Sequence, residues 1–447
     1  MSFGQGRKGA FGSGRLVLAL ALLLLVAAFL LGGTGVDLPV RGTIIEALSL
    51  ASLAVTIANW HGPRPPIAIL GGLTLIVAIP ALQLVPLPPS LWKALPGREI
   101  AADVSSLIGA ADAWRPLSLN PELTLKSLLG MLPAFALYLA ARQLPVAGRR
   151  LLLRALIAVA LCSIALGGLQ VISHNPSLYP FESLHEGLPI GLFANRNHQA
   201  DLLVVATLAA AALHAATPEG QAGRTERLVL TALIGLFVAG IFATASRTGL
   251  VLVMLGLALS APFFVRGKLG WKPVAAGGAL ILLAGMLLST SGVVQTTLER
   301  YGGNEADERF QIWPEAYYAA KYYFPVGGGM GTFVGSFNAT EQLGTLSSHY
   351  TNAAHNDYIQ LTQDGGAAGL AVVLLFCCFY IVNATILLGR PIGDHADRFA
   401  RMALIAILAY LLHSIVDFPL RTFAHIALFG MLCGLLARPP TTRDDAA

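Results

Sequence analysis

The chain has 447 residues, of which 55% are hydrophobic and only 12% are charged, and its mean hydropathy is +0.68. A soluble domain carries charge at roughly a quarter of its positions, so this composition excludes a single water-soluble globule and indicates a membrane protein. The net charge of +5 comes from basic residues that are dispersed between apolar runs. Because nucleic-acid-binding proteins cluster their basic residues on one surface, no nucleic acid partner is expected.

Apolar runs of membrane length recur along the whole chain and predict an all-α polytopic membrane protein with about twelve transmembrane helices. The first run follows Arg7, Lys8 and Arg15, as a signal peptide would, but its length favours a retained anchor. The four cysteines lie within the runs, so we interpret them as small packing residues rather than disulfide or metal ligands. The predicted spans are residues 16–33, 43–59, 67–85, 125–141, 151–173, 199–216, 228–245, 249–265, 274–289, 367–388, 399–416 and 420–437.

The distribution of lysine and arginine predicts the orientation of these spans. With the N-terminus inside, every predicted inner segment is short and carries basic residues, as the positive-inside rule requires. Both termini are then cytoplasmic, and two long loops, residues 86–124 and 290–366, lie outside. The predicted organisation is spans 1 to 9 in residues 1–289, a large and partly helical periplasmic loop in 290–366, and spans 10 to 12 with a cytoplasmic tail in 367–447.

The 290–366 loop is rich in aromatic residues and glycine, so we expect it to be folded. Pro314 suits the first turn of a helix over residues 315–324, whose tyrosines favour either the lipid headgroup level or packing over the mouth of the bundle. The glycine-rich segment 325–332 can direct its amides toward an anion, although a plain turn is the simpler interpretation. At the end of the loop, His355 can accept a proton near neutral pH or serve a structural role.

Two polar motifs fall on the same predicted outer side as His355. Asn-Arg-Asn-His (195–198) precedes the sixth span, and Ser-Arg-Thr-Gly (246–249) lies between the seventh and eighth. An arginine beside apolar spans is costly unless it pairs with an anion or a partner, and Asp201 or Asp417 is available as a structural partner. Together with Arg309, these motifs would bring several guanidinium groups to one surface. A guanidinium group binds phosphate oxygens well because it can donate two parallel hydrogen bonds. No metal-binding motif accompanies them, so no metal ion is expected.

With these residues the sequence resembles the O-antigen ligases and the related O-antigen polymerases. The resemblance is carried by the two outer motifs, by Arg309 before Ile312-Trp313, by the Pro-x-Gly-x-Gly-x-Gly pattern that starts at Pro325, and by His355-Asn356 with Gly366 and Gly369 behind it. It implies a membrane-embedded glycosyltransferase of the C type. The active site of such an enzyme lies under the large periplasmic loop, and its donor is a glycan on undecaprenyl diphosphate.

The resemblance also implies roles for individual residues. Arg247 and Arg309 would hold the diphosphate and His355 would act on the acceptor hydroxyl, and these three are the predicted catalytic residues. It implies an inner-membrane location, a periplasmic active site and contact with membrane lipids, and we expect one inverting displacement without cofactor or metal. The predicted substrate-binding residues are Asn195, Arg196, Asn197, His198, Ser246, Trp313 and Asn356.

Several alternatives remain open. A ligase hands a finished glycan to the lipid A core, whereas a polymerase of O-antigen or exopolysaccharide hands a growing chain to the next lipid-linked repeat, and the His-Asn signature favours the ligase. The acceptor is the lipid A core or another glycan, with a protein or another lipid as further alternatives. A transporter or flippase is less favoured. Transporters tend to place ionisable residues in the middle of the membrane, whereas here the main candidates within predicted spans are Glu46 and His413, and the polar motifs lie together at one surface. A further alternative is a non-catalytic scaffold of an envelope assembly complex.

Overall fold

The computed structural model describes residues 5–440 except 37, 61, 63, 184, 264–304, 343 and 345–350, and it leaves out the side chains of 5–13, 263 and 305–309. Helices dominate the described residues, and the predicted all-α polytopic class is confirmed. The helices are, in chain order, α1 (Gln5–Leu31), α2 (Pro39–Ala58), α3 (Ile67–Gln83), α4 (Pro89–Trp92), α5 (Glu99–Leu107), α6 (Pro121–Gly130), α7 (Leu132–Gln143), α8 (Val146–Ser173), α9 (Arg196–Ala216), α10 (Gln221–Ala243), α11 (Arg247–Ser260), α12 (Glu305–Tyr322), α13 (Phe333–Asn338), α14 (Asp357–Leu388), α15 (His395–His413) and α16 (Phe423–Leu435).

Short elements connect these helices. Strands β1 (Pro86–Leu87) and β2 (Arg115–Pro116) pair antiparallel, with Pro86 opposite Pro116, and so close the loop that contains α4 and α5. Within the described ranges, 3-10 turns lie at Pro176–Leu178, Ala261–Phe263 and Pro419–Arg421.

In the described part of the chain, seven helical segments are long and apolar enough to cross a membrane. Helices α3, α11 and α16 are apolar but only 10–17 residues long, and α15 carries three charged residues near its start. Every predicted span that falls on described residues coincides with a helix, although the fourth is divided between α6 and α7. The ninth predicted span, 274–289, lies outside the described residues, so the total of about twelve stays a prediction.

Helix α9 lies at the centre of the bundle, where it packs against α8, α10, α11 and α15. Every residue from Asn197 to Leu213 is buried. The run is dominated by alanine and leucine, and a helix that is apolar all round is surrounded by neighbours on every side. The polar residues in its first turns are therefore buried as well, and each needs a partner inside the bundle.

Helices α7 and α16 pack closely because α16 presents two glycines to α7. A Cβ atom at Gly430 would lie 2.2 Å from the carbonyl oxygen of Ala134, and one at Gly434 would lie 2.5 Å from that of Tyr138. Small residues four positions apart let two helix backbones approach in this way. This contact fixes α16, which forms one wall of the site described below.

Segments that the charge distribution assigns to the outer side meet one another. The carbonyl of Gly33 accepts from the amide of Ala194 at 3.1 Å, and the carbonyl of Ser414 accepts from the amide of Asp357 at 2.9 Å. At the opposite end, the buried guanidinium of Arg149 donates to four backbone carbonyls, among them those of Leu435 and Ala437. The predicted alternation of sides thus agrees with the contacts, while the identity of the outer side as periplasm stays a prediction.

The outer 86–124 loop is held to the glycine-rich segment by Arg98. Its guanidinium, 2% exposed, donates to the carbonyls of Pro96, Leu117 and Gly327 at 2.7–3.0 Å. Burial lowers the pKa of Arg98 to about 10 and raises the pKa of Tyr323, which lies beneath it, to about 12. The neighbouring Glu99 accepts from the Tyr322 hydroxyl at 2.8 Å, and a backbone N–H and this hydroxyl together lower its pKa.

Two helices depart from their predicted boundaries. The prediction that Pro314 opens a helix is wrong, because α12 begins at Glu305 and contains Pro314 in its interior. Proline inside a helix forfeits one backbone hydrogen bond, and α12 continues because Ala316 and Ala319 are buried where it packs against α14. Helix α14 begins at Asp357 rather than near residue 367, and Gly366, with φ of 58°, kinks it between a polar outer part and an apolar inner part.

Candidate active site

His355 lies immediately before α14 in a left-handed backbone conformation, with φ of 48°. This conformation costs a non-glycine residue about 1–2 kcal/mol and persists only where the surroundings fix it. Asn356 caps α14 by accepting from the amides of Tyr358 and Ile359 at 3.0 and 3.1 Å. Asn356, a predicted substrate-binding residue, thus fixes the helix start that aims the His355 ring.

The His355 ring faces a buried carboxylate. Its Nδ1 lies 3.4 Å from Oδ1 of Asp417, and the exposed fractions of the two side chains are 22% and 0%. The ring also stands edge-on to Phe418, with 4.9 Å between the ring centres. The sequence suggested Asp417 only as a partner for an arginine, but the structure places it beside the histidine.

Asp417 connects His355 to the two polar motifs. The Nδ2 of Asn197 donates to Oδ2 of Asp417 at 2.8 Å, and the Ser246 hydroxyl donates to Oδ1 of Asn197 at 2.8 Å. Ser246 also accepts from the amide of Gly249, which caps α11, and it follows Ala245, another non-glycine residue with positive φ. Asp417, Asn197 and Ser246 therefore form one hydrogen-bonded group. His355 lies beside it, and its Nδ1 faces Asp417 as a charge partner without a hydrogen bond.

The remaining residues of the first motif lie around this group. Asn195 caps α9 by accepting from the amide of Asn197 at 2.8 Å. His198 is 2% exposed, and its ring stands edge-on to the Phe418 ring, with 5.6 Å between the ring centres. Neither ring nitrogen of His198 has a hydrogen-bond partner among the described residues. Arg196 is half-buried at the start of α9.

The predicted catalytic arginines, Arg247 and Arg309, both lie on helices. Arg247 is the first residue of α11, directly after Ser246, and its side chain is exposed. The backbone of Arg309 lies in α12, but its side chain lies outside the described residues. Trp313, on the same helix, is half-buried and contacts the Phe310 ring at 5.1 Å. Their predicted roles with substrate stay predictions.

A cavity of about 3150 Å³ opens beside His355. It lies between α2, α3, α6 and α7 on one side and α14 and α16 on the other, under the outer loops. Its outer end is lined by polar residues, among them Asn195, His198 and His355, and its inner end runs between apolar helix faces. The volume exceeds the 300–1,000 Å³ of a small-molecule pocket and suits a substrate with both a polar and an apolar part.

Among the described residues, Arg115 and Arg421 are the arginines that line this cavity, whereas the predicted Arg196 and Arg247 do not line it. Nε of Arg421 lies 3.3 Å from Oδ1 of Asp357, and its Nη1 lies 3.3 Å from Oδ2 of Asp364. The sequence interpretation missed Arg421 because it placed residue 420 at the start of a span, whereas Pro419–Arg421 is a 3-10 turn. The sequence did contain one signal for Arg421, which is that a single arginine stands at the start of an apolar run.

The glycine-rich segment is a fixed turn rather than an anion cradle. The amides of Gly328, Gly329 and Gly331 donate to the carbonyl of Gln363, the carbonyl of Asp364 and the carboxylate of Asp364 at 2.9–3.2 Å, and that of Met330 donates to Gln83 at 2.8 Å. Amides that are bonded within the protein are not available to a ligand. In the part of the chain that the structure describes, no three histidine, cysteine, aspartate or glutamate side chains are grouped to hold a metal ion.

The bundle of apolar helices around a large cavity with a polar outer end defines a polytopic membrane protein of the all-α class. A family model described as O-antigen ligase matches residues 232–374. The predicted resemblance to the O-antigen ligase superfamily, whose members are glycosyltransferase-like enzymes, is therefore confirmed. The matched residues include Ser246 and His355, whereas residues 195–198 and Asp417 lie outside them. The comparison with curated proteins found no match.

Proposed function

We propose that this protein transfers a glycan from undecaprenyl diphosphate to an acceptor hydroxyl in the cavity, with His355 as the general base. The observation that carries the proposal is the pairing of His355, on the cavity wall, with the buried Asp417 at 3.4 Å. A buried carboxylate beside one nitrogen of an imidazole orients the ring and stabilises its protonated form. The other nitrogen is then free to act on a substrate.

The proposed reaction has one step. His355 takes the proton of the acceptor hydroxyl through Nε2 while the hydroxyl oxygen attacks the anomeric carbon of the donor. The bond from that carbon to the diphosphate oxygen breaks, and the electron pair leaves with the lipid diphosphate. A base in this position contributes roughly 10²–10⁴-fold in rate. A single displacement inverts the anomeric centre, so an α-linked donor gives a β-linked product.

The donor has a charged and an apolar part, and the cavity offers surfaces for both. The prenyl chain would lie along the apolar inner end, between α3 and α14. We assign the diphosphate to Arg247 and Arg309, as the resemblance implies, with Arg196 as a contributor. Each charge-assisted hydrogen bond would stabilise the leaving group by about 1.5–3 kcal/mol. Arg421 is already paired with two carboxylates, so we assign it a structural role.

The membrane sidedness follows from the same chemistry. A lipid-linked donor carries its own activation, and a site on the periplasmic face has no nucleotide sugar to use instead. We therefore place the cavity on the periplasmic side of the bacterial inner membrane, with both termini in the cytoplasm. The transfer needs no metal ion, because arginines would neutralise the diphosphate.

The acceptor distinguishes the two reactions that share this site. In the ligase reaction the acceptor is the lipid A core, and in the polymerase reaction it is the next lipid-linked repeat. The His355-Asn356 signature favours the ligase. In a polymerase the same base and diphosphate site would serve, and the cavity would hold two lipid-linked substrates at the same time.

The test is a glycolipid profile of cells that lack the gene, with and without the wild-type gene restored. A ligase predicts long lipid-linked polymer and a bare lipid A core in the deletion. A polymerase predicts single repeats on carrier or acceptor and no long chains. An unchanged profile would contradict the proposed function and favour transport or a scaffold role.

A further inference from the structure

Behind Asp417, a second histidine lies between two buried carboxylates. Nδ1 of His413 lies 2.6 Å from Oδ1 of Asp201, and its Nε2 lies 3.7 Å from Oδ2 of Asp417. The exposed fractions of the three side chains are 0% for His413, 5% for Asp201 and 0% for Asp417. The carboxylates come from α9 and from the loop after α15, so the arrangement depends on the packing of these two helices.

The geometry favours the protonated form of His413. A neutral imidazole has one N–H, whereas the imidazolium has two and directs them in opposite directions. Nδ1 of His413 is hydrogen-bonded to Asp201, whereas Nε2 lies 3.7 Å from Asp417, where the attraction is electrostatic. Only the imidazolium presents a positive charge to both carboxylates. Two carboxylates in an apolar interior are costly unless a positive charge compensates them, and His413 is placed to do so.

We propose that the Asp201–His413 pair keeps His355 in its neutral, proton-accepting form by sharing the negative charge of Asp417. Asp417 stabilises the protonated His355 that forms during the reaction, but without a compensating charge it would stabilise that form before the reaction as well. A positive His413 on the other side of Asp417 weakens that attraction while leaving Asp417 in place to orient the ring. Asp201 keeps His413 charged. The pair acts through Asp417, so both are positioning residues, and the inference rests on the proposed role of His355.

Other titratable groups face the cluster of Asp201, His413, Asp417 and His355 from each neighbouring element. His198 comes from α9 and His185 from the loop before it, Tyr410 from α15, His425 from α16, Asp357 from the start of α14 and Arg421 from the 3-10 turn. These groups are the same in the wild type and in the variants below, so their influence cancels in the comparison.

The experiment measures the protonation of His355 directly in the purified full-length protein. Of the two forms of a histidine ring, diethyl pyrocarbonate modifies the neutral one, and peptide mass spectrometry resolves the modification of His355 as a function of pH. The variants are His413→Asn, which keeps a donor for Asp201 but carries no charge, and Asp201→Asn, which removes the group that holds the proton on His413. His395→Asn, at the opposite end of the same helix and about 27 Å away, is the matched control.

The expected result is that the midpoint pH of His355 modification rises by about half a pH unit or more in both variants. It should stay unchanged in H395N and fall in Asp417→Asn, where the negative charge is gone. An unchanged or lower midpoint in both H413N and D201N would overturn the inference. The measurement needs no glycan, so it stands apart from the transfer assay that tests the proposed function.

Discussion

Oδ1 of Asp417 lies 3.4 Å from Nδ1 of His355, and Asp417 has no exposed surface. The carboxylate also accepts from Asn197 at 2.8 Å and from the backbone amide of Phe418 at 3.0 Å. These contacts fix Asp417, and the His355 ring lies beside it on the cavity wall.

Asp417→Asn should lower the rate of glycan transfer by about 10²-fold or more, because the amide does not stabilise a protonated His355. The protein should still accumulate, since asparagine has the same shape and can still bond to Asn197. Transfer in isolated membranes, normalised to protein level, checks this. Normal transfer by the variant would mean that the charge of Asp417 has no role in catalysis.

Ser246→Ala should reduce both stability and transfer. It removes the hydrogen bond to Asn197 and the cap of α11, and the loss of a cap costs about 1 kcal/mol. Asp394→Ala is the matched control, because it removes the cap of α15 at the opposite end of the bundle. Both variants should lower the thermal midpoint, but only S246A should lower the transfer rate. An equal loss of transfer would mean that Ser246 acts through stability alone.

Arg421→Gln should destabilise the protein by about 1–3 kcal/mol, because it leaves Asp357 and Asp364 without their cation. The side chain of Arg421 is 24% exposed, so solvent reduces the effect below that of a fully buried pair. The double variant R421Q/D364N should recover part of the loss. Thermal midpoints of the two single variants and the double variant measure the coupling, and simple additivity would contradict the proposed pairing.

Gly430→Ala should destabilise the bundle by about 1–3 kcal/mol, because the new methyl group would meet the Ala134 carbonyl at 2.2 Å and force α7 and α16 apart. Gly235→Ala is the control, since nothing lies within 4 Å of a Cβ there. It should be neutral or slightly stabilising, as alanine favours a helix over glycine. Thermal unfolding in detergent, followed by size exclusion, compares the two. Equal stability would mean that the helices tolerate a wider separation.

Much of the fold was predictable from the sequence, because hydropathy and charge distribution depend on short stretches of chain. The predicted spans within the described residues all correspond to helices. Boundaries were less predictable where a polar residue extends a helix, as at Asp357, where α14 continues outward from the membrane part through a kink at Gly366. Pro314 was misleading because tertiary packing outweighs the preference of proline for a first turn.

The site was predictable only in part. The motifs around Asn197, Ser246 and His355 were found because each is polar beside apolar runs, and the structure brings these three together through Asp417. The role of Asp417 and the positions of Asp201 and His413 depend on contacts between helices that are far apart in sequence, for example residues 201 and 413. A single sequence does not reveal such contacts. The glycine-rich segment looked available to an anion because sequence does not show that its amides are bonded to α14 and to Gln83.

A transfer assay in proteoliposomes would determine whether His355 is the base in glycan transfer. Purified protein would receive lipid-linked glycan and lipid A core, both extracted from cells that lack the gene. His355→Ala should lower the transfer rate by about 10²–10⁴-fold, while His395→Ala, on the far end of α15, should match the wild type. A His355→Ala rate within about threefold of the wild type, far less than the contribution of a general base, would contradict the account.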